Sequence, residues 1–207
     1  YLRFFFISIL KNFPFSNLKI LFTAKKNNLK LFNKDVLKNK KKSEIIFILG
    51  GGESINDITQ DQWKEIQECD SLGINRWLIH IHVPTLMLIE GAKKSDIDMG
   101  EQANEYNYEL LRKSNDRCSK TTFIFKDLYK LFINFKKLEF LRNRTYLMLK
   151  FIIPGKSKYG LKKSLEFLKK FKFFKSVSFP IGNRATITHA LSFALSAGYK
   201  KIVLCGI

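Results

Sequence analysis

An apolar run, Ile45-Ile46-Phe47-Ile48-Leu49, stops abruptly at three glycines, Gly50-Gly51-Gly52, with Glu53-Ser54 next. Consecutive apolar residues bounded by a turn signal read as a strand buried on both faces, the kind found in parallel sheets. Glycines at its end allow positive φ and put no Cβ in the way of a ligand, so bare backbone N–H groups can meet a phosphate or a ribose. Just beyond, Thr59-Gln60-Asp61-Gln62 has capping-box spacing, with Ile58 and Trp63 at the staple positions. Ile55, Ile58, Trp63 and Ile66 then share one helical face. Strand, glycine turn and helix in that order open an α/β nucleotide-binding unit. Gly50, Gly51 and Gly52 are therefore candidate nucleotide-binding residues, against the plainer alternative of a strand-to-helix turn with no ligand.

Two common fingerprints do not fit. Gly50 and Gly52 supply the first two glycines of the dinucleotide motif, but Ile55 stands where the third belongs, and no Gly-Lys-Ser/Thr follows. A redox dinucleotide also calls for an acidic residue at a strand end about 20 positions on. Asn75 sits there instead.

The chain of 207 residues carries a net charge of +19, unevenly spread. Residues 1–42 hold 11 Lys/Arg against 1 acid, and 120–175 hold 16 against 3; residues 43–119 reverse the sign, with 14 acids against 7 bases. This reads as a nucleotide-binding domain over 43–207 whose first part, 43–119, is acidic, a basic, aromatic-rich N-terminal extension over 1–42, and a basic helical insertion over 126–176. Lys38 to Lys42 looks like a solvated linker. Aromatic clusters interleaved with lysine in 1–42 suit an anionic membrane surface, or else a helical extension packed on the domain with its lysines in water. An acidic centre and the lack of a recognised DNA- or RNA-binding motif argue against nucleic acid.

Cys69, Cys118 and Cys205 show no CxxC spacing, so neither a disulfide framework nor a zinc site is suggested, and a cytoplasmic setting is expected. No apolar stretch reaches the roughly 18 residues that span a bilayer. Tyr1 to Leu10 comes nearest, interrupted by Arg3. It leaves open a longer segment cut off before Tyr1, and the chain reads as a fragment at both ends.

Further along, Asp70 to Asn75 reads as a second strand and Thr85 to Glu90 as a third, each ending in one polar residue. Ligands in open α/β sheets sit beyond the carboxyl ends of strands, which makes Asn75 a candidate for ribose or base contact. His80 and His82, two apart, face the same way if extended, but no third ligand is spaced for a metal, and structural roles are favoured. A helix is expected around Glu101–Arg112, a strand over Thr121–Phe125, two helical parts divided at Pro154-Gly155, and an amphipathic face of Leu161, Leu165, Leu168 and Phe171. Val177 to Phe179 is strand-like, Pro180 to Asn183 a loop, and Ile187 to Leu195 a helix ending at Gly198, a C′ glycine. Lys201 to Cys205 is a final strand. Thr186 and Thr188 lie at that helix's first turn, where hydroxyls and N–H groups favour an anion.

Taken together, Gly50-Gly51-Gly52-Glu53-Ser54, Gly73-Ile74-Asn75, Asn183 to Thr188 and Ala197-Gly198-Tyr199-Lys200-Lys201-Ile202-Val203-Leu204-Cys205-Gly206-Ile207 resemble the bacterial lipooligosaccharide sialyltransferases and related glycosyltransferases. The order and spacing agree over roughly residues 44–90 and 177–207. The resemblance implies a Rossmann-like parallel sheet flanked by helices, a single-domain glycosyltransferase-A variant, using a CMP-activated sugar as donor with no obligatory metal and no other cofactor. It implies that the glycine turn and Ser54 hold the nucleotide, that Asn75 bonds the cytidine or sugar, that Glu90 stands near the donor, and that Thr186 contacts phosphate or sugar. The acceptor would be a surface glycan or glycolipid carrying negative charge, and the enzyme would work at the inner membrane surface. The family's turn usually has Asn at the position of Gly51 and Pro at that of Glu53, and Asn where this chain has Glu90. The catalytic base is expected beyond Ile207, and His189 is not promoted to that role. A pterin diphosphokinase-like enzyme and a non-catalytic basic binding module are the alternatives.

Overall fold

In the computed structural model the described residues are 17–90, 97–126, 134–149, 151–152, 157–170, 181–182 and 185–207. Expectations for Tyr1–Leu10, Pro154-Gly155, Val177–Phe179, Asn183 and the side chains of Leu161, Leu165, Leu168 and Phe171 fall outside them. The fold is α/β and Rossmann-like: an all-parallel sheet of seven strands flanked by helices. Residues 17–26 are helical (α1). There follow β1 (Lys30–Leu31), α2 (Lys34–Lys40), β2 (Ile45–Leu49), α3 (Gln60–Glu68), β3 (Asp70–Ile74), β4 (Leu86–Glu90), α4 (Ile97–Lys113), β5 (Thr122–Lys126) and β6 (Thr145–Leu147). Then come β7 (Phe151–Ile152), α5 (Lys158–Lys170), β8 (Ile181–Gly182), α6 (Thr186–Ser196) and β9 (Lys201–Cys205). The main sheet runs β1-β6-β5-β4-β3-β2-β9, and β7 pairs with β8 in a separate two-stranded ribbon.

The alternation of side chains explains why the central strands are apolar along most of their length, with polar residues towards the ends of β3, β4 and β5. Phe47, Leu49, Met87, Ile89, Phe123 and Phe125 face a core layer completed by Ile20 of α1, Ile66 of α3, and Tyr108 and Leu111 of α4. Ile46, Ile48, Leu72, Leu86, Leu88 and Ile124 face the other, closed by Ala190, Phe193 and Ala194 of α6. Both faces of the strands are thus covered by helices, so a polar residue in them, such as Asp70, is held by hydrogen bonds.

The helix ends follow their sequence signals. Thr59 and Gln62 form both bonds of the capping box at the start of α3. Gly198, at φ +76°, closes α6 in a Schellman motif, its N–H donating to Leu195 O and that of Tyr199 to Ala194 O. We expect Thr59→Ala to lower stability by about 1 kcal/mol in urea unfolding, with Thr59→Ser nearly neutral; equal loss in both variants would rule the cap out as the cause.

Two boundaries differ from expectation. Residues 17–42 are not a separable extension: β1 is the edge strand beside β6, Ile20 and Phe32 are buried, and the Phe32 ring stacks on Phe193 at 4.9 Å. Nor is 38–42 a free linker, since α2 runs to Lys40 and the N–H groups of Lys42 and Ser43 donate to the buried Asp70 carboxylate. Residues 126–176 are likewise not a purely helical insertion. Lys126 ends β5, and Thr145–Leu147 forms β6 between β5 and β1, with a 3-10 segment, Phe135–Arg144, before it. Dense lysine hid a strand whose own residues, Thr145, Tyr146 and Leu147, are buried. The expected strand over Thr121–Phe125 runs one residue later, and residues 181–182 of the expected loop form β8. Among the described residues, no helix is long and apolar enough to cross a membrane.

Candidate functional site

From β2 the strand order runs outward through β3, β4, β5 and β6 on one side, while β9 lies on the other, so the order reverses between β2 and β9. Crevices at such reversals are where nucleotides sit in open α/β sheets. Here the crevice itself is closed. Gly50 N–H donates to Cys205 O at 2.8 Å and Gly52 N–H to Gly206 O at 2.7 Å, locking the end of β2 to the end of β9. A Cβ at Gly52 would lie 2.8 Å from Gly206 O, and one at Gly50 would collide with the same carbonyl. Gly206 alone of this group has a positive φ, +62°. The expectation of positive-φ glycines with bare amides is therefore corrected: two of the three glycines are required by backbone packed against backbone, and their N–H groups are committed.

The open space lies one step along the sheet. A cavity of about 840 Å³ spans the carboxyl ends of β2, β3 and β4 under α4. Its polar lining comes from Gly51, Gly52, Glu53, Asn56, Asn75, Arg76, Glu90 and Asn107, and its apolar lining from Ile55, Ile74, Ile89, Leu110 and Leu111, with Trp77, Leu78, Ile79 and His80 at one side. Asn75 reaches it because the chain turns sharply after β3: its φ is +56°, a left-handed value that asparagine tolerates, and its N–H donates to Leu88 O. Gly73 is fixed by the same turn, since a Cβ there would sit 2.7 Å from the Trp77 ring.

At the end of β4, Glu90 Oε2 lies 2.9 Å from Lys126 Nζ and accepts a hydrogen bond from the Thr186 hydroxyl. The Lys126 side chain is fully buried and that of Glu90 is 28 % exposed. Lys126 is the residue that sequence reasoning missed. Its signal was the one used for Asn75 and Glu90, a polar group ending an apolar strand. Arg76 was passed over too; its guanidinium packs 5.3 Å from the Tyr106 ring centre.

The remaining candidates lie apart. Gly51 is exposed on the lining with open space around its Cα. Gly50 is buried in the interlock and does not line the cavity. Ser54 is exposed in the short 3-10 turn Glu53–Asp57, between lining residues but not itself one of them. Thr186 is buried and reaches the cavity only through Glu90. Thr188 donates its hydroxyl to Ala185 O, and buried His189 packs its Nδ1 against the same carbonyl.

His80 lines the cavity, and His82 lies two residues on in the same loop. The loop that carries them is irregular rather than extended: His80 stacks on Trp77 at 4.6 Å and His82 on Trp63 at 4.8 Å, with Trp77 Nε1 donating to His82 O. Arg117 donates to the Leu78 and His80 carbonyls and pins this loop to the end of α4. Burial, with His80 and Lys42 nearby, pushes the His82 imidazole down to about 4 from an ordinary 6.5. The fold thus favours the neutral ring. That contribution is complete above pH 6.5 and is lost as pH falls towards about 4. We expect wild type to lose roughly 2 kcal/mol across this window relative to His82→Phe, read by urea unfolding at a series of pH values. Parallel stability curves would contradict a buried neutral His82.

Among the described residues no group of three His, Cys, Asp or Glu side chains is arranged to hold a metal ion. No protein-family model and no curated protein matches this chain.

Proposed function

We propose that the cavity binds the nucleotide of a CMP-activated sugar and that the protein is a glycosyltransferase, resembling sialyltransferases, that passes the sugar to a surface glycan or glycolipid. The observation that carries this reading is one cavity, large enough for a nucleotide, where Asn75 from β3 and Glu90 from β4 meet Gly51 and Gly52 from the turn after β2. The Asn75 amide offers both donor and acceptor to a base or sugar. Arg76 supplies positive charge for phosphate. Glu90, with its charge balanced by Lys126, can accept from hydroxyl groups without repelling an anionic donor as a lone carboxylate would.

In the reaction, an acceptor hydroxyl oxygen bonds to the anomeric carbon as the bond from that carbon to the phosphate oxygen breaks. The hydroxyl proton passes to a general base, and CMP leaves with the electron pair, stabilised by hydrogen bonds and by Arg76. We assign Glu90 no role as base, because Lys126 and Thr186 hold its Oε2. On this reading the enzyme works in the cytoplasm, peripherally at the inner membrane, on an acceptor whose negative charge suits the basic surface.

Thermal unfolding with added ligand tests the reading. Millimolar CMP is expected to raise the midpoint, because a ligand that binds only the folded state stabilises it by mass action. Most of that rise should vanish in Asn75→Ala. Stabilisation by ATP with Mg²⁺ and none by CMP would overturn the proposal in favour of a diphosphokinase-like enzyme.

A further inference from the structure

Helix α1 has two faces, and only one is accounted for by the fold. Asn17, Ile20 and Ala24 are buried, with Ile20 and Ala24 in the core layer shared with α3 and α4. On the outward side Phe22 is 73 % exposed, Leu18 47 % and Leu21 39 %. Helical spacing sets Phe22 opposite the buried face, with Lys25 on one flank and Lys19 and Lys26 on the other, all three exposed. No acid occurs from residue 17 to 34, and Lys19, Lys25 and Lys26 form no ion pair among the described residues.

We propose that the outward face of α1 docks the protein onto a bilayer surface rich in anionic lipid. Phe22 and Leu18 flanked by lysines, with Leu21 half-exposed beside Lys25, match a helix lying in the interface plane: the apolar groups enter the headgroup boundary and the ammonium groups reach the lipid phosphates. Charge selects this occupant over a second copy of the chain. A two-fold interface would set the lysines of both copies against each other, whereas an anionic surface complements them. Because Ile20 and Ala24 fasten α1 to the core, the helix docks as part of the domain and sets its orientation on the membrane.

Nucleotide binding plays no part in this docking, so it is tested without nucleotide. The full chain is co-sedimented with vesicles of phosphatidylglycerol and phosphatidylcholine in equal parts, and with phosphatidylcholine alone. Binding to the anionic vesicles is expected, falling roughly ten-fold or more in Leu18→Gln/Leu21→Gln/Phe22→Gln. Lys19→Gln/Lys25→Gln/Lys26→Gln should also weaken binding and flatten its salt dependence. These six side chains are exposed, and circular dichroism checks that both variants fold. The proposal is overturned if wild type ignores anionic vesicles or if both variants bind them as wild type does. It is also overturned if the apolar variant loses only a dimer seen by light scattering.

Discussion

Gly50→Ala is expected to destabilise the protein by roughly 3 kcal/mol or more, whereas Gly51→Ala should change stability by no more than about 0.5 kcal/mol. The two residues are neighbours and read alike in sequence. They differ in what a methyl group would meet. At Gly50 it would strike the Gly206 carbonyl and lie 2.6 Å from Ile207 Cδ1; at Gly51 nothing stands within 4 Å. A backbone carbonyl cannot step aside as a side-chain tip can, and moving it would break the bonds from Gly50 N–H to Cys205 O and from Gly52 N–H to Gly206 O. Gly206→Ala should resemble Gly50→Ala, since it adds a left-handed φ of +62° to a contact of 2.6 Å with Gly50 O. Urea unfolding of the three variants checks this. Equal losses at Gly50 and Gly51 would contradict the interlock and restore the view of the triplet as a uniform flexible turn.

The pair Glu90 and Lys126 should show strong coupling. Glu90→Gln leaves the fully buried Lys126 ammonium without its carboxylate, and breaking a buried pair in this way costs about 3–5 kcal/mol. Lys126→Met removes the cation and leaves a carboxylate that is mostly shielded from water, with a similar loss. The double variant Glu90→Gln/Lys126→Met strands no charge. It should be less destabilised than the sum of the two singles by about 2 kcal/mol or more. Additive losses would mean that the 2.9 Å approach contributes little.

These two predictions mark where the sequence could be read and where it could not. Continuous apolar runs such as Ile45–Leu49 and Leu86–Ile89 announce strands covered on both faces, and the capping box at Thr59 is a purely local signal. The order of strands, glycine turn and helices thus followed from short-range pattern. The role of the glycines did not, because the atom that excludes a Cβ at Gly50 belongs to Gly206, far along the chain. Lys126 was hidden for a similar reason. In sequence it opens a run dense in lysine and reads as solvated; its burial depends on Glu90 of the neighbouring strand, paired in register with it. β1 spans only two residues and acquires its place from β6. Asn75 and Glu90 could be picked out because a polar residue closing an apolar strand needs no distant partner to be noticed. Ser54, which only the resemblance implied, is exposed in the 3-10 turn and does not line the cavity.

The central claim is that the cavity over β2, β3 and β4 is a nucleotide seat. Titrating CMP into isotopically labelled protein and following its amide signals by nuclear magnetic resonance tests this directly. Saturable shifts are expected at Gly51, Asn75, Arg76 and Asn107, with Lys40, Thr122 and Tyr199, around a smaller pocket elsewhere, left unmoved. Shifts confined to that smaller pocket, or none at millimolar CMP, would contradict it.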